Sequence, residues 1–104
     1  MIVGSEYFEM IKSLRKAQER FSNKRRPDYA MKKSDLEKKV DAYTISLLGK
    51  TNSDEMTQLI QLFREMRKKQ LVCKINRKPS HIGRRTIAEK DVDDYVISIE
   101  RGGQ

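Results

Sequence analysis

The chain has 104 residues, of which 23 are Lys or Arg and 15 are Asp or Glu, so its formal net charge at pH 7 is +8. This length allows one modest hydrophobic core and excludes a deep active-site cleft. Hydrophobic residues make up 37% of the chain and recur at regular spacing, which excludes a disordered tail. The basic balance favours an acidic partner, which is nucleic acid first, an anionic membrane second and an acidic protein surface third.

The apolar pattern and the cysteine content predict the cellular compartment of the protein. No apolar run approaches the ~18 residues that a membrane span needs, and no signal-peptide pattern opens the sequence. The single cysteine, Cys73, excludes an intramolecular disulfide and fits a reducing compartment. We therefore expect a cytoplasmic protein with no membrane partner.

The first amphipathic helix is predicted from Ser5, a suitable N-cap, to about Asn23. Its apolar side chains recur at helical spacing, namely Tyr7, Ile11, Leu14 and Phe21. Pro27 disfavours helical geometry at Arg26 and so predicts a short basic turn there.

A second helix follows the turn and is predicted to stop at Gly49, in a left-handed cap. Apolar residues repeat along it with a seven-residue step and form a seam, namely Tyr29, Leu36, Val40, Tyr43 and Leu47. Two helices joined by so short a turn must pack antiparallel, so residues 1–50 predict a helical hairpin. The seam either faces the first helix or serves as a partner or homodimer contact.

Residues 51–104 predict a basic helix–ribbon–helix unit, either separate from the hairpin or continuous with it. The third helix is capped at residues 51–53 and ends near Gln70, and its buried face contains Met56, Leu59, Ile60, Phe63 and Met66. Leu71–Ile75 and His81–Ile87 predict a two-stranded β-ribbon, because both runs are short and rich in β-branched residues.

The last helix is predicted from residue 88 to residue 99. The pattern Thr86-x-x-Glu89 is typical of a capping box at its start. The fold class is therefore mainly α, with an N-terminal hairpin, a third helix, a small two-stranded β-ribbon and a C-terminal helix.

Residues 64–85 carry nine cations against the single acid Glu65, an excess equal to the net charge of the whole chain. The cations are Arg64, Arg67, Lys68, Lys69, Lys74, Arg77, Lys78, Arg84 and Arg85. Solvated surface and helix-end neutralisation explain part of this cluster. Its size and the scarcity of compensating carboxylates favour a surface that binds DNA or RNA.

Part of the first half resembles known proteins. Leu14-Arg15-Lys16-Ala17-Gln18, Phe21 and residues 36–41 (Leu-Glu-Lys-Lys-Val-Asp) are similar to short uncharacterised helical-hairpin proteins of bacterial phages and mobile elements. The resemblance covers residues 7–48. It implies a genomic setting and no particular activity.

The basic half resembles a second family. Ile82-Gly83-Arg84-Arg85, Ile87 and the residues from Glu89 to Val96 resemble the wing and last helix of excisionase-type winged helix-turn-helix domains. The resemblance implies a basic wing on the phosphate backbone, carrying Arg84 and Arg85 with Lys74, Arg77 and Lys78 opposite. Residues 53–70 lack the helix-turn-helix pattern of that family, so it implies no recognition helix.

Catalytic and metal-binding patterns are missing from the sequence. One histidine, His81, and one cysteine, Cys73, provide neither a catalytic triad nor a metal quartet. Asp91, Asp93 and Asp94 are interpreted as acids that complement a helix dipole rather than as a divalent-ion site. We expect no enzyme activity, no cofactor and no bound metal.

These observations lead to two hypotheses. In the first, the chain is a small phage- or mobile-element-type accessory protein that binds nucleic acid through its basic surface. In the second, it is a protein-interaction module, either an inhibitor of a host or defence protein or an assembly subunit, that uses the hairpin seam and the basic surface.

Overall fold

The computed structural model describes residues 3–50 and 54–102, and these residues form four α-helices. They are α1 (Val3–Asn23), α2 (Pro27–Leu47), α3 (Asp54–Ile75) and α4 (Pro79–Gly102). The chain divides into two compact units, Met1–Thr51 and Asn52–Gln104. The first unit contains the α1–α2 hairpin and the second contains the α3–α4 hairpin.

The first hairpin has a core drawn from both of its helices. The buried residues of α1 include Tyr7, Ile11, Leu14, Ala17 and Gln18, and those of α2 are Val40, Thr44 and Leu47. The Thr44 hydroxyl donates a hydrogen bond to the Val40 carbonyl at 2.7 Å. It is therefore left to accept from the Tyr7 hydroxyl, 2.8 Å away, which satisfies a buried polar group between the helices.

The turn and the end of α2 follow the local rules of Pro and Gly. Arg26 is extended, with φ −89° and ψ 144°, so the prediction that Pro27 interrupts the helix is confirmed. Gly49 has a φ of 77°, which confirms the predicted left-handed stop. The start of α1 was predicted wrongly, because the helix begins at Val3 and Ser5 lies inside it. The predicted cap at residues 51–53 lies outside the described residues.

The second hairpin buries the face of α3 that the spacing predicts. Met56, Leu59, Ile60, Phe63 and Met66 are all buried, which confirms that prediction. The core also contains Cys73 from α3 and three residues of α4, namely Ala88, Val92 and Val96.

The predicted β-ribbon is wrong. Leu71–Ile75 forms the end of α3, His81–Ile87 lies within α4, and residues 3–50 and 54–102 contain no strand. The buried stripe of α3 continues to Cys73, which lies seven residues after Met66 and is 1% exposed. Extending an existing helix adds a hydrogen bond per residue without a new nucleus, and this outweighs the β-propensity of a short run.

The start of α4 was also predicted too late in the chain. The helix begins at Pro79, whose fixed φ suits a first helical position. Thr86 lies inside it and donates to the Ile82 carbonyl at 3.0 Å, so it is not an N-cap. Because Ile82–Arg85 is helical, the wing implied by the second resemblance is not formed.

The two hairpins share a polar contact pattern at a fixed separation of 52 residues. In the first, Arg15 donates to the Gln18 side-chain oxygen at 2.6 Å, and Gln18 donates to Glu37 at 2.9 Å. In the second, Arg67 donates to Gln70 at 2.7 Å, and Gln70 donates to Glu89 at 2.8 Å. Each contact therefore has a counterpart 52 positions further along the chain.

The sequence shows the same separation. Twelve residues are identical to the residue 52 positions later, namely Arg15, Lys16, Gln18, Arg25, Pro27, Glu37, Lys38, Val40, Asp41, Tyr43, Ile45 and Ser46. Shared residues and shared contacts together indicate that the chain is a tandem repeat of one helical hairpin.

Candidate nucleic-acid interface

The predicted cations gather where α3 and α4 are joined. Arg64, Arg67, Lys68, Lys69 and Lys74 lie on the C-terminal half of α3. Arg77 and Lys78 are in the turn, and Arg84 and Arg85 lie on the first turns of α4. We call residues 64–85 the closed end of the second hairpin.

Most of these cations face solvent. Six of the nine are exposed and form no ion pair with any residue that the structure describes, namely Arg64, Lys68, Lys74, Arg77, Lys78 and Arg84. Exposed like charges repel one another, so this arrangement contributes no stability to the hairpin itself. It leaves a positive surface available to an external anion.

The other three cations are half-buried and bind residues of their own hairpin. Arg67 donates to Gln70, and the Lys69 ammonium lies 3.3 Å from Glu65. Arg85 donates to the Cys73 sulfur at 3.6 Å. Its buried Nε lies 3.9 Å from Glu89 and has no hydrogen-bond partner among the described residues. Arg67 and Lys69 therefore contact residues of their own helix, and the Arg85–Cys73 contact joins α4 to α3.

The first hairpin has a closed end of the same character, residues 12–33. It carries nine cations, namely Lys12, Arg15, Lys16, Arg20, Lys24, Arg25, Arg26, Lys32 and Lys33, against the two acids Glu19 and Asp28. The neutral sum of the chain outside residues 64–85 conceals this second basic cluster, because acids elsewhere offset it. A charge count over residues 64–85 does not reveal the basic cluster at residues 12–33, whereas the 52-residue repeat does.

Aromatic rings hold several cations of the first closed end. The Arg25 guanidinium lies 5.0 Å from the centre of the Phe21 ring. Arg20 and Arg26 lie 5.7 and 5.0 Å from the Tyr29 ring. In the second hairpin the residues at these two positions are Cys73 and His81, so neither Phe nor Tyr stands there.

The predicted seam of α2 is largely used inside the first hairpin. Val40 and Leu47 are buried, and the Tyr43 ring lies 5.9 Å from that of Tyr7. The Tyr43 hydroxyl donates to Glu6 at 3.3 Å. Burial first, and the Glu6 charge second, raise the pKa of Tyr43. The remaining seam residues, Tyr29 and Leu36, are half-buried, and an intermolecular role for the seam stays a prediction.

The acids of α4 take part in local pairing. Asp94 accepts from Lys90 at 3.0 Å, and this hydrogen bond raises the pKa of Lys90. Among residues 3–50 and 54–102, no three His, Cys, Asp or Glu side chains are grouped so that they could hold a metal ion. None of the helices, as far as the structure describes them, combines the length and apolar character needed to cross a membrane.

Comparison of the chain with family models, with curated proteins and with solved structures found no match.

Proposed function

We propose that this chain is a small accessory protein that binds nucleic acid without catalysing a reaction, through the closed end of the second hairpin. The exposed set of six cations at that end carries the proposal. The resemblance of residues 7–48 to hairpin proteins of phages and mobile elements supports a phage or mobile-element setting for this protein.

The binding is electrostatic in origin. Each phosphate that a Lys or Arg neutralises releases condensed counterions, so affinity falls as salt is raised, by about 0.9 log units per contact per log unit of salt. The six exposed cations would make binding strongly salt-dependent. Phosphate contacts alone would not distinguish one duplex sequence from another.

The test uses two cations that the hairpin does not need for its own contacts. The variant Lys68→Gln/Arg84→Gln should keep the melting temperature of the wild type and bind unrelated duplexes more weakly by similar factors. The slope of log affinity against log salt should become flatter by up to about two units. A matched control is Lys38→Gln/Lys50→Gln, which removes the same charge from exposed positions outside both closed ends.

Two results would refute the proposal. One is a wild-type protein that does not bind duplex DNA or RNA at low salt. The other is a Lys68→Gln/Arg84→Gln protein whose affinity and salt slope equal those of the control variant.

A protein partner is the second candidate, because exposed apolar residues interrupt the second closed end. Leu71, Val72 and Ile75 of α3 lie at the surface of this end, and Ile75 is 86% exposed. Ile87 of α4, just beyond it, is also exposed. Apolar side chains among cations suit an acidic protein with apolar contacts of its own. Replacing Leu71 and Ile75 with Ser should leave nucleic-acid binding unchanged in the first reading. In the second reading it should abolish the capture of the partner.

A further inference from the structure

A groove runs between α1 and α2 on one face of the first hairpin. It encloses about 300 Å³ and is lined by Ser13, Lys16, Ala17, Arg20, Tyr29, Lys32 and Leu36. The α1 residues are spaced by three and four positions and those of α2 by three and four, so each set lies on one face of its helix. Its floor is apolar, from Ala17 and Leu36.

The polar lining of the groove is entirely suited to an anion. Lys16 and Lys32 are exposed and pair with no acid among the described residues. Arg20 is also exposed, and its guanidinium lies 5.7 Å from the centre of the Tyr29 ring, which orients it. No carboxylate lines the groove. A phosphate in it would meet two ammonium groups, one guanidinium and a phenol hydroxyl, all of which donate hydrogen bonds.

The internal repeat provides a second, independent observation. The residues 52 positions after Lys16 and Lys32 are Lys68 and Arg84, which are also exposed and form no ion pair with a described residue. A cation on each helix is therefore kept at the same place in both hairpins.

Other groove positions have changed between the hairpins. Ala17, Arg20 and Tyr29 correspond to Lys69, Val72 and His81. Both hairpins keep one cation on each helix at these positions (Lys16 and Lys32, Lys68 and Arg84), although most of the surrounding residues differ. Because these exposed cations do not stabilise their hairpins, folding does not explain why both copies have them.

We propose that the groove of Lys16, Arg20 and Lys32 is a second phosphate-binding site, so that each hairpin makes its own contact with a nucleic-acid backbone. This inference rests on the proposed function and adds the first hairpin to the binding surface. Arg20 is the bidentate group in the site, and Lys16 and Lys32 act as point charges on either side.

The experiment compares three double variants in one titration. They are Lys16→Gln/Lys32→Gln in the groove, Lys68→Gln/Arg84→Gln in the second hairpin, and the control Lys38→Gln/Lys50→Gln. Each loses the same charge. Binding to a duplex DNA and to a duplex RNA of unrelated sequences is measured by fluorescence anisotropy over a range of salt, and thermal melting confirms that each variant folds.

The groove variant should flatten the salt slope by up to about two units relative to the control, as the second-hairpin variant does. Combining all four substitutions of the two sites should flatten it by up to about four units. Equal loss with DNA and RNA would identify the phosphate backbone as the ligand. Loss with RNA alone would contradict a site for the phosphate backbone, because duplex DNA carries the same phosphates.

The failures of the two proposals are distinguishable. If the groove variant equals the control while Lys68→Gln/Arg84→Gln binds more weakly, the second site is refuted and the proposed function stands. If only the groove variant binds more weakly, the site on the second hairpin is refuted and the groove is retained. If the wild type binds neither polymer at low salt, both proposals are refuted.

Discussion

The Gln–Glu hydrogen bond between paired helices offers the most direct test of the repeat. In the first hairpin Gln18 is 8% exposed and its amide donates to Glu37 at 2.9 Å. Lys33 lies 3.3 Å from the same carboxylate oxygen. In the second hairpin Gln70 donates to Glu89 at 2.8 Å. Arg85 takes the place of Lys33, at 3.9 Å from Glu89.

The free-energy contribution of the Gln18–Glu37 hydrogen bond follows from the charge and exposure of the Glu37 carboxylate. A hydrogen bond to a charged group contributes about 1.5–3 kcal/mol, and removing one buried partner adds a desolvation cost. The Glu37 side chain is 16% exposed and keeps Lys33 as a partner, so the lower part of that range applies. We expect Gln18→Met to lower the free energy of unfolding by about 1–2 kcal/mol. The coupling of Gln18 to Glu37 should be about 1 kcal/mol.

Double-mutant cycles measured by urea denaturation give the coupling energies. One cycle combines Gln18→Met with Glu37→Met, and the other combines Gln70→Met with Glu89→Met. A control cycle pairs Glu19→Met, at an exposed neighbour of Gln18, with Glu37→Met and should show a coupling of a few tenths of a kcal/mol at most.

The two test cycles should agree within about 0.5 kcal/mol, the usual limit of additivity. The Glu89 side chain is 23% exposed, so its cycle should give the smaller value if the two differ. A coupling near zero in both hairpins would refute the energetic argument. A coupling in one hairpin alone would show that the shared contacts do not make an energetic repeat.

Two further tests concern the helix in place of the ribbon and the tyrosine beside Glu6. Gly83 lies inside α4 with no atom within 4 Å of an added Cβ, so Gly83→Ala should stabilise the protein by about 0.5–1 kcal/mol in thermal melting. Gly49→Ala, at a φ of +77°, should instead destabilise it, and equal effects of the two substitutions would contradict both backbone assignments. Because burial and Glu6 raise the pKa of Tyr43, the folded state holds that phenol proton more tightly than the unfolded state. Its contribution to stability is therefore complete below the ordinary tyrosine pKa of about 10 and is lost as the pH rises through the folded value. Glu6→Gln should lower the pKa of Tyr43 in an NMR titration. The pKa of Tyr95 should stay raised, because burial, Glu55 and Asp54 cause its shift. An unchanged pKa of Tyr43 would exclude the Glu6 contact.

Local chemistry made part of the fold predictable. The Pro27 ring restricts the residue before it, and the absence of a side chain lets Gly49 adopt a positive φ, so both helix ends follow from single residues. The buried face of α3 follows from spacing alone, because a helix places every third or fourth residue on one side.

The region of the predicted ribbon could not be assigned from local pattern. Short apolar runs such as Leu71–Ile75 fit a strand or a helix equally well, and their β-branched residues favour the wrong one. The packing of Cys73 into the core and the helical start at Pro79 decide the outcome. The start at Pro79 follows a local rule, whereas Cys73 is buried only when α3 packs against α4, which a local pattern does not show.

In the candidate site, too, some features follow from the sequence and others from the packing of the helices. The sequence by itself determined how many cations there are and where they cluster, because charge and residue identity do not depend on folding. The 52-residue repeat was recognised from the matching contacts of the two hairpins together with the shared residues. Only the tertiary structure decided that Arg85 of α4 contacts Cys73 of α3. It also brought Lys16 and Lys32 to one groove, because two residues on different helices become neighbours only when those helices pack.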